Sequence, residues 1–239
     1  MKLLDKLHFF HRVYRYRFRT EKTQLLNLLN LDLKSTTTID IGANRGIYTY
    51  WLAKMVTFNG RVLAFEPHPE LYKEIKKICE WQKFEQVTVL NQGVSNKNTT
   101  LSLFREGIGD GSATLEENFK NDQQTEKLNV SVNTLDAFVE TQDLNNISFI
   151  KIDVEGHEEK VIEGGRNTLM RFKPFVQVEI FETQSKSTQS LIKEFDELGY
   201  AGKVLLDDGE MPDIEFLNSI PSPKFGYTGH RDLFFYLKP

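Results

Sequence analysis

The chain has 239 residues, of which 39% are hydrophobic and 27% charged, a composition that is typical of a globular domain and excludes a disordered chain. Its net charge of −4 offers no overall attraction to nucleic acid, so we expect no nucleic-acid partner. The single cysteine excludes an internal disulfide and a cysteine-based zinc site and favours a cytoplasmic location, and no apolar run is long enough to cross a membrane.

Residues 1–35 predict an N-terminal helical segment that is basic and aromatic. Apolar residues recur there at helical spacing, and four arginines crowd the end of the pattern: Arg12, Arg15, Arg17 and Arg19. Two interpretations stay open. The helix packs on the rest of the chain or on a partner subunit, which leaves an oligomer open, or it attaches to an anionic membrane surface or a phosphate-bearing substrate.

Residues 36–239 predict one α/β domain, because short β-branched runs alternate with helical stretches. Strands are predicted at 37–41, 61–65, 86–91, 148–154, 175–180 and 232–237, and helices at 46–55, 69–84, 158–171 and 187–198. Such alternation predicts a mostly parallel sheet covered on both faces, that is, a Rossmann-like three-layer sandwich.

The stretch from about 101 to 135 interrupts this alternation. It has strand-like ends, a glycine-rich turn at 107–112 and a polar centre. We interpret it as a lid-like insertion beside the ligand, and a mobile surface loop is the alternative.

The first predicted strand runs into a turn with the sequence IDIGANRG (39–46). Gly42 and Gly46 let the backbone approach a ligand, and Asn44 tolerates the left-handed conformation that such a turn requires. A dinucleotide fingerprint would need a third glycine. Ligands of open parallel sheets bind at the carboxyl ends of the strands, so we expect this loop at the ligand site.

The next two strand ends supply further candidate cofactor residues. Glu66 follows the second strand, where a carboxylate can accept hydrogen bonds from both hydroxyls of a ribose, and Pro67 helps to fix its turn. Gly93 and Val94 follow the third strand, where backbone N–H groups and small side chains can contact an adenine ring.

The fourth strand ends in a row of charged residues. Strand alternation predicts that Lys151, Asp153 and Glu155 share one face, where a buried polar row needs a ligand or partners, as in a structural ion-pair row. His157 starts the next helix, either as a surface residue or as a proton acceptor in the substrate pocket.

The fifth strand carries two more polar residues, Gln177 and Glu179, on one face. They are expected to border the same cavity as the charged row. Three carboxylates could then hold a divalent cation, but nothing requires them to converge, so no metal is predicted.

Four motifs in order, IDIGANRG, AFEPHP (64–69), KIDVEGHE (151–158) and VQVEIFE (176–182), resemble those of the FkbM-type methyltransferases, a class I S-adenosylmethionine-dependent family. The resemblance implies a seven-stranded sheet whose last strand is antiparallel. It also implies that Glu66 holds the cofactor ribose and that Asp153 lies beside the reacting centre. The methionine part of the cofactor would be lined by Asp40, Gly42, Asn44 and Gly46.

Many relatives resemble O-methyltransferases of sugars, glycans or polyketides, so the expected acceptor is a hydroxyl of a small molecule or glycan, for example in polysaccharide biosynthesis. A hydroxyl acceptor must lose its proton to a base, and the candidates are Asp153, Glu155 and His157.

Two other functions compete with methyl transfer. A nicotinamide-dependent oxidoreductase would also use Glu66, and Tyr72 and Lys76 repeat the Tyr-x-x-x-Lys spacing of short-chain dehydrogenases, but they follow the second strand, where that catalytic helix does not belong. The other competitor is a non-catalytic protein that keeps the cofactor site.

Overall fold

The computed structural model describes residues 1–107, 110–117, 125–180, 185–206, 208–219 and 231–238. Within these ranges, no helix is long and apolar enough to cross a membrane.

The centre of the molecule is a seven-stranded sheet. Its strands are β1 (Thr37–Ile41), β2 (Arg61–Phe65), β3 (Val87–Leu90), β7 (Phe149–Ile152), β8 (Phe175–Ile180), β9 (Tyr200–Val204) and β10 (Arg231–Leu237), in the order β3-β2-β1-β7-β8-β10-β9. β10 runs antiparallel to β8 and β9, and the pairs from β3 to β8 are parallel. The predicted fold and its antiparallel last strand are therefore confirmed, and β9 is a strand that the sequence did not reveal.

Helices cover both faces of this sheet, as the three-layer prediction requires. They are α1 (Leu3–Arg15), a π-helical turn (Tyr16–Thr20), α2 (Lys22–Leu29), α3 (Ile47–Val56), α4 (Pro69–Gln82), α5 (Leu135–Thr141), α6 (Glu158–Glu163), α7 (Arg166–Phe172) and α8 (Lys186–Glu197), with a 3₁₀ turn at Ile214–Ser219. Alternate residues of β1 point to opposite layers: Ile39 and Ile41 enter the core beneath α5 to α8, and Thr38 and Asp40 face the opposite way.

The N-terminal helices lie on α3 and α4. Phe9 and Val13 of α1 are buried against Ile47 and Ile78, so one side of α1 is part of the core of the molecule. Leu25 and Leu28 of α2 are likewise fully buried, in the core that lies on the α3 side of the sheet.

The insertion folds mainly as part of a second sheet. The strands of this sheet are β4 (Gly93–Val94), which precedes the insertion, β5 (Thr99–Arg105) and β6 (Glu126–Asn133), in the order β4-β6-β5. Leu103, Val130 and Val132 form its own small core. Residues 108–109 and 118–124 of the predicted insertion lie outside the described residues.

Two predicted elements differ from the structure. The predicted helix 158–171 is divided into α6 and α7 at Gly164 and Gly165, and Gly164 must be glycine because a Cβ there would lie 2.0 Å from the carbonyl oxygen of Ser95. The predicted strand 148–154 stops at Ile152, since Glu155 and Gly156 then adopt positive φ angles of 52° and 95° and turn the chain.

Candidate functional site

The turn after β1 brings the backbones of two strand ends into contact. Gly42 and Gly46 have φ angles of 80° and 74°, and Asn44 has the predicted left-handed conformation, with φ 50°. A Cβ on Gly42 would lie only 1.7 Å from the carbonyl oxygen of Asp153. Gly42 is therefore needed both for its φ angle and for the close approach of the residue that follows β7.

Glu66 is held at the end of β2 by two backbone N–H groups. Its Oε2 accepts a hydrogen bond from the N–H of Asn44 at 2.6 Å, and its Oε1 accepts one from the N–H of His68 at 2.8 Å. Burial raises the pKa of Glu66 to about 8, although both hydrogen bonds favour the charged form. Each oxygen retains a further lone pair for a ligand hydroxyl.

Glu66 opens onto a largely apolar cavity with an empty volume of about 560 Å³. We call it the apolar cavity. Its lining includes every predicted cofactor residue of the β2 and β3 ends, namely Glu66, Pro67, Gly93 and Val94, together with Gly42, Asn44 and Asp153 of the strand ends beside them. Most of the remaining wall is apolar, with Phe65, Leu71, Leu103 and Leu115 prominent, and Asp110 and Glu155 add two carboxylates.

The insertion closes one side of the apolar cavity. Asn44 donates from Nδ2 to the carbonyl oxygen of Gly111 at 3.0 Å, and Thr114 donates from Oγ1 to the carbonyl oxygen of Glu155 at 2.7 Å. Both contacts join the insertion to strand-end turns, so its described part is a wall of the site.

His157 lies away from the cavities. Its side chain is buried, with Nδ1 2.5 Å from Oε1 of Glu116 and Nε2 2.9 Å from Oγ of Ser95. Lys160 also donates to Oε1 of Glu116, at 2.6 Å, and together with His157 it lowers the pKa of Glu116 to about 2.

His157 therefore fits neither interpretation that the sequence offered: its side chain is buried and not on the surface, and the structure does not place it at the cavities as a base. Both of its ring nitrogens are engaged by protein groups, and it lines neither cavity. Its position instead ties the insertion, through Glu116, to Ser95 after β4.

A second cavity, with an empty volume of about 920 Å³, adjoins the first. We call it the polar cavity. The residues common to the linings of both cavities are Gly42, Asn44, Gly111, Asp153 and Glu155. Asp153 and Glu155 thus lie where the two cavities meet.

Lys151 is the buried cation of the polar cavity. Its Nζ donates to Oδ2 of Asp153 at 2.6 Å and lies 4.4 Å from the ring centroid of Tyr48. Burial alone would lower the pKa of Lys151, but nearby carboxylates outweigh it and raise that pKa above its ordinary value. The carboxylates belong to Asp153, Glu179, Asp40 and Glu21.

The predicted charged row is thus assembled, but not by strand alternation. Of these three residues, Lys151 lies on β7, whereas Asp153 and Glu155 follow the end of that strand. Glu179 lines the same cavity, whereas Gln177 is buried and donates to the hydroxyl of Tyr48 at 3.1 Å and to Asp232 at 2.7 Å.

Two predicted cofactor residues serve in different ways. Asp40 lines the polar cavity and accepts a hydrogen bond from Oγ1 of Thr49 at 2.6 Å, and burial raises its pKa. Gly46 lines neither cavity and instead begins α3. Tyr72 and Lys76 also line neither cavity, so the dehydrogenase-like pair has no role at this site.

The N-terminal segment contributes residues that the sequence did not point to. Tyr16 and Glu21 line the polar cavity from the π-helical turn and from the residue that follows it. Burial raises the pKa of Glu21 to about 7, opposed by Lys151 and by a hydrogen bond with Tyr48. The sequence signal that could have pointed to Glu21 is its position as an acidic residue directly after an arginine-rich run.

Within the described ranges, no group of three or more histidine, cysteine, aspartate or glutamate side chains is placed to hold a metal ion.

Comparison with known proteins identifies the family. The model of the FkbM methyltransferase domain matches residues 40–201. The chain belongs to this family, and its cofactor is S-adenosylmethionine.

A curated relative, Methyltransferase 1 of Beauveria bassiana (strain ARSEF 2860), is 25% identical over 142 residues, which are 53% of this chain and 57% of that protein. The chain thus matches little more than half the length of this relative.

Two solved structures share the fold. The FkbM methyltransferase from Methylobacillus flagellatus KT superposes with a TM-score of 0.55 at 15% identity, covering 87% of this chain and 45% of that one. The O-methyltransferase from Bacillus cereus, a complex with SAH, gives a TM-score of 0.52 at 14% identity, covering 92% and 81%.

The residues of both cavities fit this cofactor. A buried carboxylate, Glu66, in an apolar wall suits an adenosine, which has a hydroxylated sugar and a flat base. The carboxylates of Asp40 and Asp153 in the polar cavity suit the cationic amine of the methionine part.

Proposed function

We propose that this chain methylates a hydroxyl oxygen on a sugar, glycan or natural-product acceptor. The observation that carries the proposal is the junction of the two cavities at Gly42 and Asp153. An acceptor in the polar cavity and an adenosine in the apolar cavity would meet beside the Asp153 carboxylate.

When it is bound, S-adenosylmethionine supplies an electrophilic methyl group. The task of the protein is to align the acceptor oxygen with this group, to exclude water and to remove the hydroxyl proton. We assign proton acceptance to the carboxylate of Asp153, with Glu155 as the neighbouring alternative, because both lie at the junction.

Lys151 positions that carboxylate. Its ammonium donates to Oδ2 of Asp153 and is itself fixed over the Tyr48 ring, so Asp153 is oriented by a buried and immobile partner. The lining of the polar cavity supports a hydroxyl-rich acceptor, since carboxylates accept hydrogen bonds and hydroxyl groups donate them.

We also propose that the protein is located in the cytoplasm. The support for this location is that the single cysteine, Cys79, is free and buried in the core, as is typical of a reducing compartment.

The test is transfer of an isotopically labelled methyl group to a panel of monosaccharides, oligosaccharides and hydroxylated natural products. On acceptors without amino groups, label that survives mild alkali marks a methyl ether, whereas alkali-labile label marks a methyl ester and contradicts O-methylation of a hydroxyl. Asp153→Asn serves as the low-activity reference.

Calorimetry with S-adenosylhomocysteine and with NAD accompanies the assay. Binding of S-adenosylhomocysteine without transfer to any acceptor favours the non-catalytic alternative. Binding of NAD alone would favour the oxidoreductase and overturn the proposal.

A further inference from the structure

Helix α1 has a second apolar face, opposite the one that packs on the domain. Leu3, Leu7 and Tyr14 recur at helical spacing, and Phe18 continues their line in the π-helical turn. These four side chains are 73%, 57%, 55% and 61% exposed, and the neighbouring Leu4 is 62% exposed. We call these five residues the outer face.

The outer face is ordered and continuous. The rings of Tyr14 and Phe18 stack with centroids 6.2 Å apart and planes within 5° of each other. Single exposed apolar residues are common on proteins, but an aligned row along one helix indicates a surface that something else covers.

Cations accompany this face. The first 22 residues contain seven lysines and arginines and only two acidic residues, although the whole chain has a net charge of −4. Arg15 and Arg19 are exposed, and the guanidinium of Arg17 lies 5.3 Å from the ring centroid of Phe18. The outer face is therefore a local positive region on an acidic protein.

This combination decides between the occupants of the face. A second copy of the chain docked there would bring two cation-rich segments together, which like-charge repulsion opposes. An anionic lipid surface complements both properties, because the apolar side chains enter the acyl boundary and the arginines contact the headgroups.

We propose that the outer face binds the surface of an anionic lipid membrane, with α1 lying in the plane of that surface. The inference concerns attachment only and holds independently of the acceptor.

The experiment is co-sedimentation of the full chain with vesicles of phosphatidylcholine alone and with vesicles that also contain about one third phosphatidylglycerol. We expect binding to the mixed vesicles, weakening when NaCl is raised from about 0.1 M to about 0.5 M. The triple variant Leu3→Ser, Leu7→Ser, Phe18→Ser should bind at least about tenfold more weakly, because it loses three apolar side chains that would enter the membrane.

The controls distinguish binding through the outer face from non-specific hydrophobic adsorption and from an effect of net charge. Phe58→Ser removes an exposed aromatic residue elsewhere, 86% exposed, and should bind like the wild type. Arg15→Glu with Arg19→Glu should also abolish binding, whereas Lys97→Glu with Lys193→Glu, an equal charge change elsewhere, should leave most of it. S-adenosylhomocysteine affinity and circular dichroism show that each variant is folded.

Several results would overturn the proposal: no binding to mixed vesicles, equal and salt-insensitive binding to both kinds of vesicle, or undiminished binding of the triple variant.

Light scattering tests the alternative occupant, a second copy of the chain, by measuring the oligomeric state. A wild-type dimer that the triple variant converts to a monomer, without vesicle binding, would assign the outer face to a second copy.

Discussion

The apolar and polar cavities share a border but control charge by opposite means. In the apolar cavity Glu66 has only two N–H partners, and desolvation dominates, so its pKa rises to about 8. In the polar cavity the buried ammonium of Lys151 is surrounded by carboxylates, and their attraction outweighs desolvation. The charge of Glu66 therefore responds to a ligand and to pH, whereas the charge of Lys151 is held by the carboxylates around it.

The largest effect is expected from Gly42→Ala, which adds a methyl group at the junction of the two cavities. The new Cβ would clash with Asp153 and force an alanine into positive φ, so unfolding free energy should fall by about 2–5 kcal/mol. Chemical denaturation measures this loss. Gly199→Ala is the matched control. Gly199 has φ 82°, and a Cβ there would meet no atom within 4 Å, so this variant reports the cost of the positive φ alone. Equal losses in both variants would show that the contact with Asp153 costs nothing.

Glu66→Ala tests the apolar cavity by itself. We expect S-adenosylhomocysteine affinity to fall by about 1.5–3 kcal/mol, the scale of lost hydrogen bonds to a charged group. Calorimetry is the measurement, and Glu85→Ala, an exposed carboxylate after α4, is the control. An unchanged dissociation constant would remove Glu66 from the cofactor site.

Asp153→Asn tests the polar side of the junction. The amide keeps the shape but cannot accept the hydroxyl proton, so the methyl-transfer rate should fall at least about tenfold, or about 1.4 kcal/mol of barrier. Asp143→Asn, in an exposed turn with φ 46°, should retain the full rate. Wild-type turnover by Asp153→Asn would move the reacting centre elsewhere, with Glu155 the next candidate.

The pKa of Glu66 gives the apolar cavity a pH dependence. Below about pH 8 the carboxyl is protonated in the free protein, while a ribose diol donates best to the ionised form. Adenosine, which has no amine of the methionine part, should therefore bind roughly eightfold more tightly at pH 8.5 than at pH 7. Glu66→Gln should flatten this dependence in calorimetry, and 2′-deoxyadenosine should show less of it. A flat wild-type profile would mean that Glu66 is already ionised at neutral pH.

The smallest effect is expected at Glu21, on the N-terminal wall of the polar cavity. Its pKa of about 7 means that the ionised fraction rises across neutral pH. Glu21→Gln should lower kcat or raise KM for the acceptor roughly two- to fivefold above pH 7 and leave the cofactor dissociation constant unchanged. Asp5→Asn, at the exposed start of α1, is the control. A loss of cofactor affinity instead would place Glu21 in the methionine subsite.

The sequence predicted the apolar cavity better than the polar one, for a physical reason. Gly42, Asn44 and Glu66 act within a few residues of strand ends, and their roles follow from local backbone geometry. The polar cavity takes residues from the π-helical turn, β1, α3, β7 and β8. Such convergence depends on tertiary packing, which no local pattern records.

His157 shows the same limit from the other side. A histidine after a strand-end glycine has the chemistry of a base, but its environment is set by Ser95 and Glu116, 62 and 41 residues away in sequence. Strand β9 was missed because Tyr200–Val204 is short and contains Gly202, and because it pairs only with β10 at the sheet edge.

The position of Tyr16 and Glu21 has an evolutionary consequence. The family domain begins at residue 40, so these two walls of the polar cavity precede the stretch in which family members are recognised. With the acceptor in the polar cavity, as we propose, substitutions in the first 35 residues would change which acceptor fits while the cofactor residues stay unchanged. The determinants of acceptor choice would then lie partly outside the stretch by which the family is recognised.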